Sequence, residues 1–158
     1  MSRFYFLVLI LLLAAAPASA GFNKGTDAYQ RGDYATALKE WRALAERGHV
    51  RAQKNLGVIY RQGRGVTQDY AKALRWYRLA AENGNAKAQF SLGLMYYEAQ
   101  GVAQDYTEAA KWYRLAAEQG VALAQFSIGL MYYHGQGVTQ SYDEAYRWWA
   151  LRDAHTKE

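Results

Sequence analysis

The sequence predicts an all-α fold, a solenoid of about four antiparallel helix pairs, on three observations. A segment of 36 residues repeats along the chain, apolar residues recur at helical spacing inside each repeat, and glycines and short polar residues recur between the helices. One helix pair cannot bury its apolar face alone, so neighbouring pairs must stack to form a continuous core. Proline breaks or kinks a helix, and the only proline among the 158 residues is Pro17. No proline therefore interrupts a helix after that position.

The repeat is clearest when two segments are aligned. The segment GVTQDYAKALRWYRLAAENGNAKAQFSLGLMYYEAQ begins at Gly65, and GVAQDYTEAAKWYRLAAEQGVALAQFSIGLMYYHGQ begins 36 residues later, at Gly101. Four sets of identical residues recur at this spacing of 36 positions, and their agreement along the chain identifies an internal repeat. They are Tyr34, Tyr70, Tyr106 and Tyr142; Ala37, Ala73, Ala109 and Ala145; Gly57, Gly93 and Gly129; and Tyr60, Tyr96 and Tyr132.

Each repeat contains two helical patterns. The first helix carries residues such as Ala88, Leu92 and Tyr96, four apart on one face, and the second opens on a tyrosine and carries alanines at helical spacing. The four predicted pairs are Phe22–Arg31 with Tyr34–Arg47, His49–Gln62 with Tyr70–Asn83, Asn85–Glu98 with Tyr106–Gln119, and Val121–His134 with Tyr142–Ala154. The aromatic residues expected in the core are Tyr60, Tyr77, Tyr96, Tyr113, Tyr132 and Trp149.

The residues between the helices fit this division. A short polar residue, able to accept hydrogen bonds from exposed N–H groups, stands just before each second helix. These residues are Asp33, Asp69, Asp105 and Ser141. A glutamate three positions later gives the capping-box spacing to Asp105 with Glu108 and to Ser141 with Glu144. Glycines suited to the left-handed conformation at a helix C-terminus follow three of the second helices, at Gly48, Gly84 and Gly120.

Residues 1–20 have the features of a cleavable signal peptide. Arg3 supplies a positive charge, a short apolar stretch runs from Phe4 to Ala16, and small residues at 18–20 match the pattern that signal peptidase recognises. We therefore expect cleavage after Ala20, export to the periplasm or the medium, and no membrane span after cleavage. The alternative is an uncleaved membrane anchor.

The expected divisions are the signal peptide at 1–20, the solenoid at 21–154 and a short tail at 155–158. Within the solenoid, the pairs occupy about 22–47, 49–83, 85–119 and 121–154.

Charge is distributed unevenly along the chain, whose formal net charge is +5. Twelve Lys and Arg against five Asp and Glu give +7 from Phe22 to Arg78, and six against nine give −3 from Leu79 to Glu158. Such a gradient biases which partners meet which end, mainly through the association rate. No basic run interleaved with stacking aromatics is present, so we do not expect nucleic acid as a partner.

The sequence shows no constellation of catalytic or metal-ligating residues. His49, His134 and His155 lie in different repeats, without a His-Glu-x-x-His pattern, and there is no cysteine to complete a zinc site or to form a disulfide. Ser91 and Ser127 share a register but lack a Ser-x-x-Lys pattern, so we interpret them as small polar residues packed between helices. The glycine-rich connectors lack the Lys-Ser/Thr ending of a phosphate-binding loop. We therefore predict a protein that is not an enzyme and that needs no cofactor or metal.

The units AQFSLGLMYY, GVxQD and YxxAxxWYRLAAExG resemble the Sel1-like repeat, a relative of the tetratricopeptide repeat with a longer connector between its helices. The resemblance covers nearly all of the chain after the leader and is most specific from His49 to His134. Between Gly25 and Tyr34 the connector is about four residues shorter, so the first pair resembles a plain tetratricopeptide unit. The resemblance implies a scaffold or adaptor that binds proteins or peptides. Some cysteine-rich exported members imply an alternative, a cell-wall-related enzyme that binds or hydrolyses β-lactams, but this chain lacks their cysteines.

The resemblance also implies where a ligand binds. In tetratricopeptide arrays the first helix of each pair lines the concave face, and the same register here predicts a groove that runs from basic to apolar and aromatic. Its residues are Arg51, Lys54, Val58 and Arg61, then Lys87, Phe90, Leu94 and Tyr97, then Leu123, Phe126, Leu130 and Tyr133. Exposed apolar residues in a groove usually mark a binding site. The alternative is that Phe90, Leu94, Phe126 and Leu130 pack between adjacent repeats.

Overall fold

The computed structural model describes residues 19–155, and within that range it contains eight α-helices and no β-strand. The helices are α1 (residues 19–30), α2 (Tyr34–Ala45), α3 (Val50–Gln62), α4 (Tyr70–Glu82), α5 (Ala86–Tyr97), α6 (Tyr106–Glu118), α7 (Ala122–His134) and α8 (Tyr142–His155). The apolar stretch of the expected signal peptide and most of the expected tail lie outside the described residues. No helix in the described part of the chain is long and apolar enough to cross a membrane.

The helices stack in chain order. From α2 to α8, each helix packs mainly against its neighbours in the sequence, which is the arrangement of a solenoid. The all-α solenoid of four helix pairs is therefore confirmed, and the predicted helix bounds differ from the observed ones by no more than three residues.

The core of the stack lies along the predicted apolar faces. In α5, Ala88 and Leu92 are fully buried, and Tyr96 retains 8% of its surface. Tyr77 and Tyr113, from the second helices, are also buried. The predicted core residues Tyr132 and Trp149 are only partly buried. For Trp149 the reason is its position, because no described helix follows α8 and covers it.

The repeated glycines of the first helices allow aromatic rings to approach the backbone. A Cβ atom added at Gly57 would lie 2.6 Å from Cδ1 of Tyr77, and one added at Gly93 would lie 2.7 Å from Cδ1 of Tyr113. Gly129 has the same kind of contact in the last pair. A Cβ atom at these distances would force the ring or the helix to shift, so glycine at these positions lets the two helices of a pair pack closely.

The four predicted caps of the second helices are formed. Each of the four residues accepts a hydrogen bond from a backbone N–H in the first turn of its helix. The reciprocal hydrogen bond of a capping box, from the N–H of the capping residue to the glutamate, is not formed at Asp105 or Ser141. Their own N–H groups donate instead to the carbonyl oxygens of Tyr96, at 3.1 Å, and Tyr132, at 3.0 Å. Because the long connector folds back onto the preceding helix, these donors are not available to Glu108 or Glu144.

Two side-chain hydrogen bonds recur where a second helix meets the next first helix. In one, an arginine donates to a tyrosine hydroxyl; the pairs are Arg42 with Tyr60, Arg78 with Tyr96, and Arg114 with Tyr132. In the other, the Nε2 of a buried glutamine on the first helix donates across 3.2 Å to a carbonyl oxygen in the last turn of the preceding second helix. The pairs are Gln53 with Ala45, Gln89 with Ala81, and Gln125 with Ala117. These bonds set the same orientation at each junction, so equivalent residues of successive first helices are presented alike.

Candidate functional site

The predicted groove residues lie on α3, α5 and α7, and none of them is buried. We call the surface that they form the first-helix face. It comprises Arg51, Lys54, Val58, Arg61, Lys87, Phe90, Leu94, Tyr97, Leu123, Phe126, Leu130 and Tyr133. That these residues bind a partner stays a prediction. Their surroundings show which of them line cavities, which pack against other rings and which carry a charge that is unpaired among the described residues.

Two cavities open between neighbouring first helices. The N-terminal cavity has a volume of about 370 Å³ and is lined by Thr26, Tyr29, Gln30, Trp41, Lys54, Asn55 and Val58. The C-terminal cavity has a volume of about 170 Å³ and is lined by Leu94, Tyr97, Glu98, Tyr113, Ser127, Leu130, Met131 and Gln136. In each, residues of two first helices form most of the walls, and one aromatic residue of the second helix between them adds to the lining. Glu98 and Gln136, which follow α5 and α7, also line the C-terminal cavity.

The two cavities occupy the same position in the repeat. Once the shorter connector of the first pair is allowed for, Tyr29 corresponds to Tyr97 and Trp41 corresponds to Tyr113. Three further correspondences differ in chemistry: Thr26 with Leu94, Gln30 with Glu98, and Asn55 with Ser127. The cavity thus recurs at two junctions of the array, with Lys54 in the lining of the N-terminal cavity and Glu98 in that of the C-terminal cavity.

The apolar end of the first-helix face includes partly buried and exposed aromatic rings. Phe90 packs against Tyr113, with ring centroids 5.5 Å apart, whereas Phe126 and Tyr133 remain 39% and 38% exposed. The hydroxyl of Tyr97 donates to Oε1 of Gln136 across 3.2 Å and so joins α5 to the connector of the next repeat. The packing that the sequence left as an alternative is therefore present at Phe90, and the binding role of these residues stays a prediction.

A larger cavity extends the apolar end between α7 and α8. Its volume is about 610 Å³, and its lining includes Phe126, Leu130, Tyr146 and Trp149. The ring of Trp149 lies 6.4 Å from that of Phe126 and 5.9 Å from that of Tyr133. Arg152 also lines this cavity, with its guanidinium carbon 5.3 Å from the ring centroid of Phe126, so a positive charge borders the aromatic and aliphatic side chains here. Burial raises the pKa of Tyr113 above its ordinary value, with a smaller contribution from the charge of Glu98.

The basic end has a different electrostatic character. The guanidinium of Arg51 lies 4.4 Å from the ring centroid of Phe22. Burial lowers the pKa of Lys54, and the positive charges of Lys87 and Arg51 lower it further. Among the described residues no acidic side chain forms an ion pair with any of these three cations.

Arg61 differs from these cations because it has partners within the protein. Its Nε donates to Oε1 of Gln100 across 3.0 Å, and its Nη2 lies 3.8 Å from Oε2 of Glu98. This contact matches the one between Tyr97 and Gln136 one repeat later. Arg61 therefore ties two repeats together, and its charge is partly neutralised.

The residues examined for catalysis have structural roles. The hydroxyl of Ser91 donates to the carbonyl oxygen of Lys87, and that of Ser127 donates to the carbonyl oxygen of Leu123, each within its own helix. His49 accepts a hydrogen bond at Nδ1 from the N–H of Ala52 and so caps α3, a role that was not predicted. The part of the chain that the structure describes contains no cluster of three or more potential metal ligands.

Several lining residues were missed by sequence reasoning. Thr26, Tyr29, Gln30 and Trp41 belong to the first pair, where the connector is about four residues shorter. Shifting the register by that amount places α1 opposite α3 in the same way that α5 lies opposite α7, so the signal was present in the sequence. Asn55 was also missed because only every third or fourth residue of α3 was assigned to the groove.

The stacked helix pairs, their long connectors and the cavities between first helices define a helical-repeat scaffold. Three copies of the Sel1 repeat are matched by the model of that family, at residues 50–85, 86–121 and 122–151. The chain therefore belongs to the Sel1 repeat family.

Solved structures agree with this assignment. The chain is similar to a Sel1 repeat protein from Oxalobacter formigenes, with a TM-score of 0.82 and 36% identity, over 85% of this chain and 55% of that one. It is also similar to a protective antigen of uropathogenic Escherichia coli strains that displays an SLR fold, with a TM-score of 0.83 and 39% identity, over 94% of this chain and 33% of that one. The chain thus spans about half and one third of the lengths of these two proteins.

A more distant likeness shows the fold alone. Cysteine rich protein B of Helicobacter pylori matches with a TM-score of 0.58 and 18% identity, over 74% of this chain and 89% of that one. A search of curated proteins found no match.

Proposed function

We propose that the protein is a scaffold or adaptor that binds an extended segment of a protein partner along the first-helix face. The observation that carries the proposal is the recurrence of one cavity, in one register, between α1 and α3 and again between α5 and α7. A surface that repeats along a solenoid suits an extended ligand, because successive ligand side chains meet equivalent positions. The exposed rings of Phe126 and Tyr133 supply the aromatic anchors that commonly contribute most to such interfaces.

The proposed role is binding and not catalysis. The serines that share a register are hydrogen-bonded within their own helices, and no general base faces them in the contacts described above. The features of residues 1–20 support a site of action in the periplasm or outside the cell, where the partner would be an envelope or secreted protein.

Site-specific photocrosslinking tests the location of the interface. A photoreactive phenylalanine analogue placed at Tyr133 should form a discrete adduct with a partner in cells that export the protein. The matched control position is Leu115, which is similarly exposed, at 36%, but lies on a second helix. Equal adducts from both positions, or an adduct only from Leu115, would show that the first-helix face is not the interface.

Alanine variants then test the anchors. Phe126→Ala and Tyr133→Ala should each weaken co-purification of the crosslinked partner by about tenfold or more, since truncating an aromatic anchor commonly costs about 2 kcal/mol. Leu115→Ala should leave it unchanged. A circular dichroism spectrum and a melting curve for each variant establish that the change is in binding and not in folding.

A further inference from the structure

Lys54 occupies a position that belongs to an aromatic residue in the later repeats. The equivalent residues are Phe90 and Phe126, 36 and 72 positions later. Its side chain is partly buried and lines the N-terminal cavity together with Trp41 and Val58. A cation has therefore replaced a phenyl ring beside an apolar wall, where an ammonium group is costly unless it is paired.

No group within the described residues pairs with this cation. Its charged neighbours Arg51 and Lys87 are cations, and neither α3 nor the first three turns of α5 contains an acidic residue. The five ion pairs found among residues 19–155 all lie elsewhere. The positive charge at this end of the first-helix face is thus concentrated and lacks a partner within the described part of the protein.

Polar donors complete the lining of the same cavity. The side-chain amides of Asn55 and Gln30 both line it, and neither makes a hydrogen bond to another described residue. An ammonium with two amide donors is a set of groups that a carboxylate accepts from well. The equivalent C-terminal cavity has Ser127 and Glu98 in the places of Asn55 and Gln30, so it offers no such set.

We propose that the N-terminal cavity binds an acidic side chain of the partner, with its carboxylate on Lys54 and an adjacent apolar side chain against Trp41 and Val58. This inference rests on the proposed function and names the chemistry of the bound segment. Arg51 and Lys87 attract further acidic residues on either side, since several cations on two successive first helices match a run of carboxylates. This arrangement favours internal acidic side chains over the single carboxylate of a chain terminus.

The test uses a defined probe. It is a fluorescein-labelled nonapeptide of alternating glutamate and leucine with an amidated C-terminus, and its matched control has glutamine in place of glutamate. Fluorescence anisotropy with the purified protein should show binding of the acidic peptide that weakens as NaCl is raised, because exposed charges are screened by salt. The glutamine peptide should bind at least tenfold more weakly.

Two variants locate the site on the protein. Lys54→Gln removes the charge and keeps a polar, slightly shorter side chain, and it should weaken binding of the acidic peptide by about tenfold, the usual effect of losing a hydrogen bond to a charged group. Lys39→Gln makes the same change of charge at an exposed position on α2 and should leave binding nearly unchanged. Equal losses in the two variants would show that only the net charge matters, and no binding of the acidic peptide would overturn the proposal.

Two further outcomes separate this inference from the proposed function. If only a peptide with a free C-terminal carboxylate binds, the cavity recognises a chain terminus and the inference is wrong. If the crosslinked partner is lost in Tyr133→Ala but retained in Lys54→Gln, the scaffold function stands and the acidic subsite does not.

Discussion

Ala99 has a backbone conformation that favours glycine. It is the only described non-glycine residue with a positive φ, at 56°, and it follows α5 by two residues. The equivalent positions in the neighbouring repeats are Gly63 and Gly135, with φ of 65° and 67°. A side chain in this left-handed region costs about 1 kcal/mol or more because Cβ approaches the following carbonyl oxygen.

Replacing this alanine should therefore stabilise the protein. We expect Ala99→Gly to raise the free energy of unfolding by about 0.5–1 kcal/mol. The relief of backbone strain stabilises the folded protein, and the greater flexibility of glycine in the unfolded chain offsets part of that gain. Urea denaturation followed by circular dichroism measures the change. The reverse substitution, Gly135→Ala, should lower the free energy of unfolding, since its Cβ would also lie 3.2 Å from Cβ of Gln140. A loss of stability in Ala99→Gly would contradict the assignment of strain.

The partly buried charge of Lys54 predicts a dependence of stability on pH. Because burial lowers its pKa from 10.5, the unfolded chain binds more protons at this site than the folded protein does between the lowered pKa and 10.5. The stability that this residue contributes should therefore rise with pH through that window. In Lys54→Met the contribution is absent.

The measurement is the free energy of unfolding of both proteins from pH 7 to pH 10.5. The wild type should gain stability relative to Lys54→Met as the pH rises. A difference that stays constant over this range would show that the side chain is solvated in the folded state.

At the scale of the helix, each first helix of the matched repeats begins with a different cap. His49 caps α3 and Asn85 caps α5 through side-chain acceptors 3.2 and 2.9 Å from the backbone N–H groups that they bind. Val121, at the same position before α7, has no side-chain cap. An asparagine at this position commonly contributes about 1 kcal/mol to the free energy of unfolding. Because α7 lacks such a cap, it depends more on packing than α5 does.

The close packing of a helix pair gives a prediction at the same scale. Gly93→Ala should lower the free energy of unfolding by about 1–3 kcal/mol, the usual cost of overpacking, because the new methyl group would overlap the ring of Tyr113. Thermal and urea denaturation measure the loss.

A double-mutant cycle identifies its cause. The loss from Gly93→Ala should be smaller in a Tyr113→Ala background, where the ring is absent. Strictly additive losses would show that the contact with Tyr113 is not responsible.

At the scale of the whole molecule, the fold was predictable because each helix packs mainly against its sequence neighbours. A period of 36 residues with repeated apolar positions therefore specifies the helices, their order and most of the core. The N-terminal cavity was harder to predict because Trp41 reaches it from a second helix, and because the short first connector shifts the register of α1. The path of the connector was not predictable from the capping-box spacing either, since the N–H of Asp105 bonds to the distant Tyr96.

Export is a prediction about the entire chain. Protein recovered from the periplasm or the medium should lack residues 1–20, because the small residues before Gly21 match a signal peptidase site. Intact-mass spectrometry distinguishes this product from the full chain. Recovery of a form that retains Met1 in those fractions would contradict the prediction.

The two cavities between first helices lie at a fixed separation along the stack of helices. An extended polypeptide advances about 3.3 Å per residue, so a partner that places one side chain in the N-terminal cavity reaches the C-terminal cavity only after a set number of residues. The N-terminal cavity, with Lys54, and the C-terminal cavity, with Leu94 and Leu130, differ in chemistry, so in the proposed complex they would also set the direction of the bound segment. Deleting one residue between the two anchors of such a partner would leave both cavities intact and both anchors present, yet only one of them could be seated at a time.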